Sequence, residues 1–162
     1  MKYTYIDSPI GRLQVTRDEG GVTGLDLPTA RYPRQIRDDW ERDDAVFDDV
    51  RAQLSEYFAG TRQQFDLPLN ARGNAFQHAV WQVLTEIPYG ETTSYGKVAA
   101  AVGHPDGARA VGVANGQNPI PIIVPCHRVI GADGSLIGYG GGLSTKRWLL
   151  DHEAHHAGLT LV

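Results

Sequence analysis

The residues best equipped for covalent chemistry lie together in the stretch IIVPCHRVIG, residues 122–131, which holds the only cysteine of the chain, Cys126. A thiolate is a soft, strong nucleophile, and an adjacent cation lowers the thiol pKa from its free value near 8.5. Free cysteine is also among the most buried residue types, so a lone Cys after three aliphatic residues has an inert reading as well. Three features favour the nucleophile. Pro119, Pro121 and Pro125 rule out a central strand and make a stiff segment that delivers Cys126 to one place. Arg128 and a protonated His127 would stabilise the thiolate. Successive residues of an extended chain point to opposite sides, so His127 serves Cys126 only if the chain bends or a water bridges them.

A metal site is the competing use of Cys and His, and it needs three or four ligands at short spacing. Only Cys126 and the run His152-Glu153-Ala154-His155-His156 are on offer, and residues 1–70 contain neither Cys nor His. The sequence therefore predicts no metal. Most of these histidines read as solvated residues at a helix end, while Glu153 stands out as an acid able to orient His127.

These side chains need a scaffold. Alternation in KYTYI, RLQVT and VTGLDL, separated by DSPIG and DEGG turns, predicts an antiparallel meander over the first 27 residues. An amphipathic helix follows from Ala45 to Ala59, with Val46, Val50, Leu54 and Phe58 as its apolar stripe and Gly60 as its stop. DLPLNARGN reads as a linker, which divides the chain into domains 1–70 and 71–162. In the second, Asn74 caps a helix carrying Phe76, Val80, Val83, Leu84 and Ile87, which Pro88 ends. Two short helices, SYGKVAAAV and ARAVGVAN, flank GHPDG and have a helix-turn-helix outline, with Pro105 as the first helical residue of the second. In that second helix the small residues Ala108, Ala110, Gly112, Ala114 and Gly116 alternate with larger ones; its glycines weaken it, and the benefit of small side chains is close approach to another body. Arg109 is its single charge.

At 162 residues, 41% hydrophobic and 21% charged, the chain has the composition of an ordinary globular protein. The first residues contain no apolar signal region and no run reaches a membrane span, so the sequence predicts a cytoplasmic protein, in keeping with its unpaired cysteine. The net charge of −4 is carried by residues 1–70, with 9 Lys+Arg against 13 Asp+Glu; residues 71–162 carry six of each. The acidic half should face away from any polyanion.

PCHRV, together with NPIPIIV, YGETTSYGKVAAAVGHPDGARAVGVANGQN and GYGGGLSTKRWLLDHE, resembles the O6-alkylguanine-DNA alkyltransferases (methylated-DNA–protein-cysteine methyltransferases). The resemblance is dense from Phe76 to Glu153 and looser over the first half, where IDSPIG and YFAG also match. It implies an α/β N-terminal domain with an RNase H-like antiparallel sheet plus helix, then a mostly α C-terminal domain with the helix-turn-helix. The implied partner is double-stranded DNA containing alkylated guanine, bound through the minor groove by a monomer, with no cofactor and no membrane. The implied catalytic set is Cys126, His127, Glu153 and Tyr95, with a water between thiol and imidazole. Arg109 corresponds to the arginine that fills the gap left by a flipped nucleotide, and Asn118 to the hinge between recognition helix and active site. Ala108, Gly112 and Asn115 lie on the DNA-binding helix. Arg128, Val129, Tyr139, Gly140, Gly141 and Lys146 belong to the substrate pocket. Glycine at 140, where the family often has serine or alanine, implies a roomier pocket.

The implied reaction is one irreversible transfer of the alkyl group from O6-alkylguanine to Cys126, with O4-alkylthymine as a second candidate substrate. A helix-turn-helix regulator and a non-catalytic lesion-binding relative are the alternatives. The presence of Cys126 counts against the second, and a lack of any further DNA-reading domain against the first.

Overall fold

A computed structural model describes residues 1–30, 33–139 and 141–158. The meander forms as expected: β1 (Lys2–Ser8), β2 (Gly11–Asp18) and β3 (Gly21–Asp26) pair antiparallel, in register Ile6↔Leu13 and Val15↔Leu25. Gly11 closes the first hairpin at φ 110°, a conformation that a side chain would strain. A two-residue strand, β4 (Glu41–Arg42), inside the acidic run adds parallel to β1 and gives the order β3-β2-β1-β4. Composition gave no hint of it.

Helix α1 (Asp48–Phe58) follows a 3-10 turn at Ala45–Phe47 and is shorter than the sequence reading. Its buried stripe is Phe47, Val50, Leu54 and Tyr57, while Val46 is 40% exposed and Phe58 only partly covered. Steps of four residues drift round a helix of 3.6 residues per turn, whereas 47, 50, 54 and 57 stay on one face. The segment read as a linker is docked: Val22 donates its N–H to the Pro68 carbonyl at 2.9 Å, and Asn70 donates back to Val22 at 2.7 Å. It thereby pairs with the outer edge of β3.

In α2 (Ala75–Thr85), Asn74 and Gln77 form a reciprocal capping box with both hydrogen bonds at 2.8 Å. Trp81 of this helix donates its indole N–H to the Ala114 carbonyl at 2.9 Å. Ser94 caps α3 (Tyr95–Ala101), and α4 (Ala108–Gly116) begins after Gly107. Pro105 and Asp106 therefore lie in the turn before α4, because the chain is not helical until residue 108. Two short parallel strands, β5 (Thr93–Ser94) and β6 (Val129–Ile130), bring the start of α3 beside the Cys126 turn. Helix α5 (Leu143–Gly158) closes the molecule. Before the cysteine, buried Ile122 adopts φ 74°, the only positive φ of a non-glycine residue among those described. One apolar cluster runs from Leu13 on the sheet through Leu54, Leu84 and Ile120 to Leu149 on α5.

Candidate active site

Cys126, His127 and Arg128 form a single 3-10 turn, the bend that adjacent residues need if both are to serve one site. All three are buried. His127 Nε2 lies 2.7 Å from Glu153 Oε2 on α5. Glu153 also accepts from the Tyr57 hydroxyl at 2.6 Å and from Arg128 Nε and Nη2 at 2.7 and 3.0 Å. Burial pushes this carboxyl up, but bonds and charge from His127 and Arg128 outweigh it and hold the pKa down at about 2. The carboxylate therefore accepts the Nε2 proton, which leaves Nδ1 of a neutral ring as a proton acceptor. Nδ1 has no hydrogen-bond partner in the protein.

Two electrostatic expectations are corrected. His127 is not a standing imidazolium, because burial lowers its pKa more than Glu153 raises it. Arg128 does not face the thiol. Its guanidinium is spent on Glu153 and on the Ile87 carbonyl at 2.7 Å, so it clamps the acid and offers no face to DNA or substrate. Burial pushes the Cys126 thiol up, opposed by Asn118, Lys146 and Tyr139. In the structure the Tyr139 hydroxyl is buried and has no hydrogen-bond partner of proper geometry. The resting thiol is thus protonated, beside a neutral base.

Cys126 lies on the wall of a cleft of about 820 Å³. Of the predicted residues, the cleft brings together Tyr95, Ala108, Arg109, Gly112, Asn115, Asn118, Tyr139 and Gly141 with the cysteine. Tyr95 heads α3 and donates its hydroxyl to the Ile137 carbonyl at 2.8 Å. Arg109 is exposed at the start of α4. Asn115 is buried and donates to the Cys126 carbonyl at 3.2 Å, so it joins α4 to the active turn. Asn118 accepts from Ile120 N–H at 3.0 Å and donates to Val124 at 2.9 Å, which closes the loop leading to the cysteine. Val129 and Lys146 stand behind the cleft instead of lining it. Lys146 is fully buried and binds the Val129, Ile137 and Gly138 carbonyls at 2.7, 3.2 and 3.3 Å, a brace under the wall. Gly140 lies outside the described residues.

Sequence reasoning missed the contribution of the first half. Leu25, Leu27, Ala30 and Arg34 wall one side of the cleft, and the Thr29 hydroxyl donates to the Gly141 carbonyl. A Cβ on Gly141 would come within 2.3 Å of Leu27. Tyr57 was missed too, although a hydroxyl on a buried helix face must find a partner. No group of three or more His, Cys, Asp or Glu able to hold a metal occurs among the described residues. His152 instead stacks on Trp148 at 4.9 Å and donates to the Tyr57 carbonyl at 2.8 Å.

Two family models match this chain. The 6-O-methylguanine DNA methyltransferase ribonuclease-like domain covers residues 1–71, and the DNA-binding domain of the same family covers residues 75–155. The chain belongs to this family. A methylated-DNA–protein-cysteine methyltransferase of Mycolicibacterium paratuberculosis is 48% identical, over 99% of this chain and 98% of that relative. One from Methanosarcina acetivorans is 45% identical, over 94% and 98% respectively. A crystal structure of a Mycobacterium tuberculosis relative in complex with DNA superposes with a TM-score of 0.90 at 49% identity, covering 96% of this chain and 94% of that one. The methyltransferase fold expected from the sequence, a ribonuclease-like unit with an antiparallel sheet and then a mostly helical unit, is the fold observed. Among the described residues no helix is long and apolar enough to cross a membrane.

Proposed function

We propose that this methyltransferase performs direct-reversal DNA repair, taking the alkyl group from O6-alkylguanine onto Cys126. One observation carries the reading: a buried thiol opens into a cleft beside α4, backed by a histidine whose free nitrogen is poised as a base by an ionised glutamate. A water linking Sγ and Nδ1 would carry the thiol proton to His127, while Glu153 stabilises the imidazolium that forms. The thiolate attacks the alkyl carbon, a C–S bond forms, and the C–O6 bond breaks with its electron pair passing to guanine. Tyr95 gives a hydrogen bond or proton to the departing oxygen by exchanging its bond to Ile137. The product thioether has no hydrolytic route, so each molecule acts once.

The target atom lies inside the duplex, so the nucleotide must leave the stack. Helix α4, with small residues around Arg109, suits the minor groove, only about 6 Å wide. Arg109 would fill the vacated stack; the Mycobacterium tuberculosis relative in complex with DNA supports DNA binding by this fold. The protein works as a cytoplasmic monomer with its boundary near residue 70. The test is incubation with a duplex containing one O6-methylguanine, followed by mass analysis of the Cys126 peptide. One methyl on Cys126, absent from Cys126→Ala although that variant still binds DNA, is the expected result. Methylation elsewhere, or continued product formation with excess substrate, would overturn it.

A further inference from the structure

Oxygen Oε2 of Glu153 accepts from two residues far apart in sequence. His127 reaches it at 2.7 Å and the Tyr57 hydroxyl at 2.6 Å, with Arg128 Nη2 at 3.0 Å. Tyr57 is fully buried, and its backbone carbonyl accepts from His152, the residue just before Glu153. Both ends of one α1 residue are therefore fastened to consecutive residues of α5. A buried hydroxyl needs only some partner, and any carbonyl would serve. This one is bound to the atom that orients the base.

We infer that Tyr57 is a positioning residue for alkyl transfer: through its hydroxyl the first half of the chain sets the direction of the Glu153 carboxylate and the base strength of His127. This rests on Cys126 being the alkyl acceptor. A carboxylate oxygen offers about two lone-pair directions. Tyr57 and Arg128 share Oε2 with His127, so three donors compete for these directions and the approach open to the imidazole is narrowed, which fixes the ring. They also draw charge from the oxygen, so it holds an imidazolium less tightly and the ring stays neutral and able to accept a proton. Around Glu153 stand His127 and Arg128 from the active turn, Tyr57 from α1, Tyr89 after α2, Tyr139 from the cleft wall and His152 on α5 itself. Lys146 also bears on His127. Of these only Tyr57, His127 and Arg128 bond to the carboxylate.

The test is the pH dependence of single-turnover transfer from free O6-benzylguanine, a substrate that needs no extrusion. Wild type is compared with Tyr57→Phe and Phe58→Leu. Tyr57→Phe keeps the ring and its packing but frees Oε2 to pull harder on His127, so the acid limb should move to higher pH, on the order of one unit. The rate below the limb should then drop roughly tenfold, with the high-pH plateau little changed. Phe58 packs on Trp148 and His152, so Phe58→Leu loosens the same α1–α5 joint without touching Oε2 and should leave the limb in place. An unmoved limb in Tyr57→Phe, or equal shifts in both variants, would overturn the inference. A wild type that transfers nothing to Cys126 would instead remove the functional reading itself.

Discussion

Glu153 carries more of the site than any other single residue, since it meets the base, a guanidinium and a buried phenol. Its carboxyl is held at about 2 in the folded protein against an ordinary 4.5. A depressed value means that the stabilisation is present above the ordinary pKa and lost as pH falls from 4.5 towards 2. That difference is worth about 3 kcal/mol. Urea unfolding at pH 6 and pH 3 should show about 2 kcal/mol of it lost in wild type, because at pH 3 the folded carboxyl is still mostly ionised, and Glu153→Gln should lack that part of the loss. At pH 6 the same variant should be roughly 3–5 kcal/mol less stable, because it leaves Arg128 buried without its counter-charge. Cys126, His127 and Glu153 were legible in sequence because their motifs are local. The roles of Tyr57 and Arg128 were not, since the first depends on a partner 96 positions away and the second on where a turn aims a side chain.

Helix α4 holds a local choice that tertiary packing does not demand. A Cβ on Gly112 would meet only Tyr95, at an ordinary 3.8 Å, and one on Gly116 would meet nothing. If these glycines served packing, alanine would clash; in this fold it fits. Gly112→Ala should therefore stabilise the protein by about 0.5–1 kcal/mol in thermal or urea unfolding, yet weaken binding to duplex DNA. Unchanged DNA affinity would mean that the small-residue face has nothing to do with the groove. Arg109→Ala tests the same helix from the other side. It should slow repair of duplex by about 5- to 150-fold, or roughly 1–3 kcal/mol, with little effect on transfer from free O6-benzylguanine. Equal losses on both substrates would assign Arg109 to the pocket instead. Helix identity was legible from capping and periodicity, but starting points were less so. Pro105 suggested an early start for α4 that the chain does not take, and β4 is too short to leave a pattern.

As a whole the molecule is acidic, yet its proposed partner is a polyanion. Among the described residues that line the cleft the cations are few: Arg109 is exposed and Arg34 is paired with Asp26 at 2.8 Å, while Lys146 behind it is buried. Few phosphates can then be neutralised, and the slope of log K against log salt should be shallow, on the order of −2 to −4. Fluorescence anisotropy with a labelled duplex over a salt series measures it, and a slope near −8 would point to a basic surface elsewhere. The two halves were legible as separate sets of elements, but their union was not. The docked segment at 68–70, the Leu25 N–H bond to Pro119 at 2.8 Å and the shared apolar cluster join residues that no local pattern connects. Ile122 shows what this assembly tolerates. A β-branched side chain held in the left-handed region costs roughly 1–2 kcal/mol, and burial of that side chain offsets it. Substitutions aimed at heat resistance would do well to leave this residue alone: glycine would ease the backbone but open a cavity worth more than the strain, and the loop it would loosen is the one that aims the thiol.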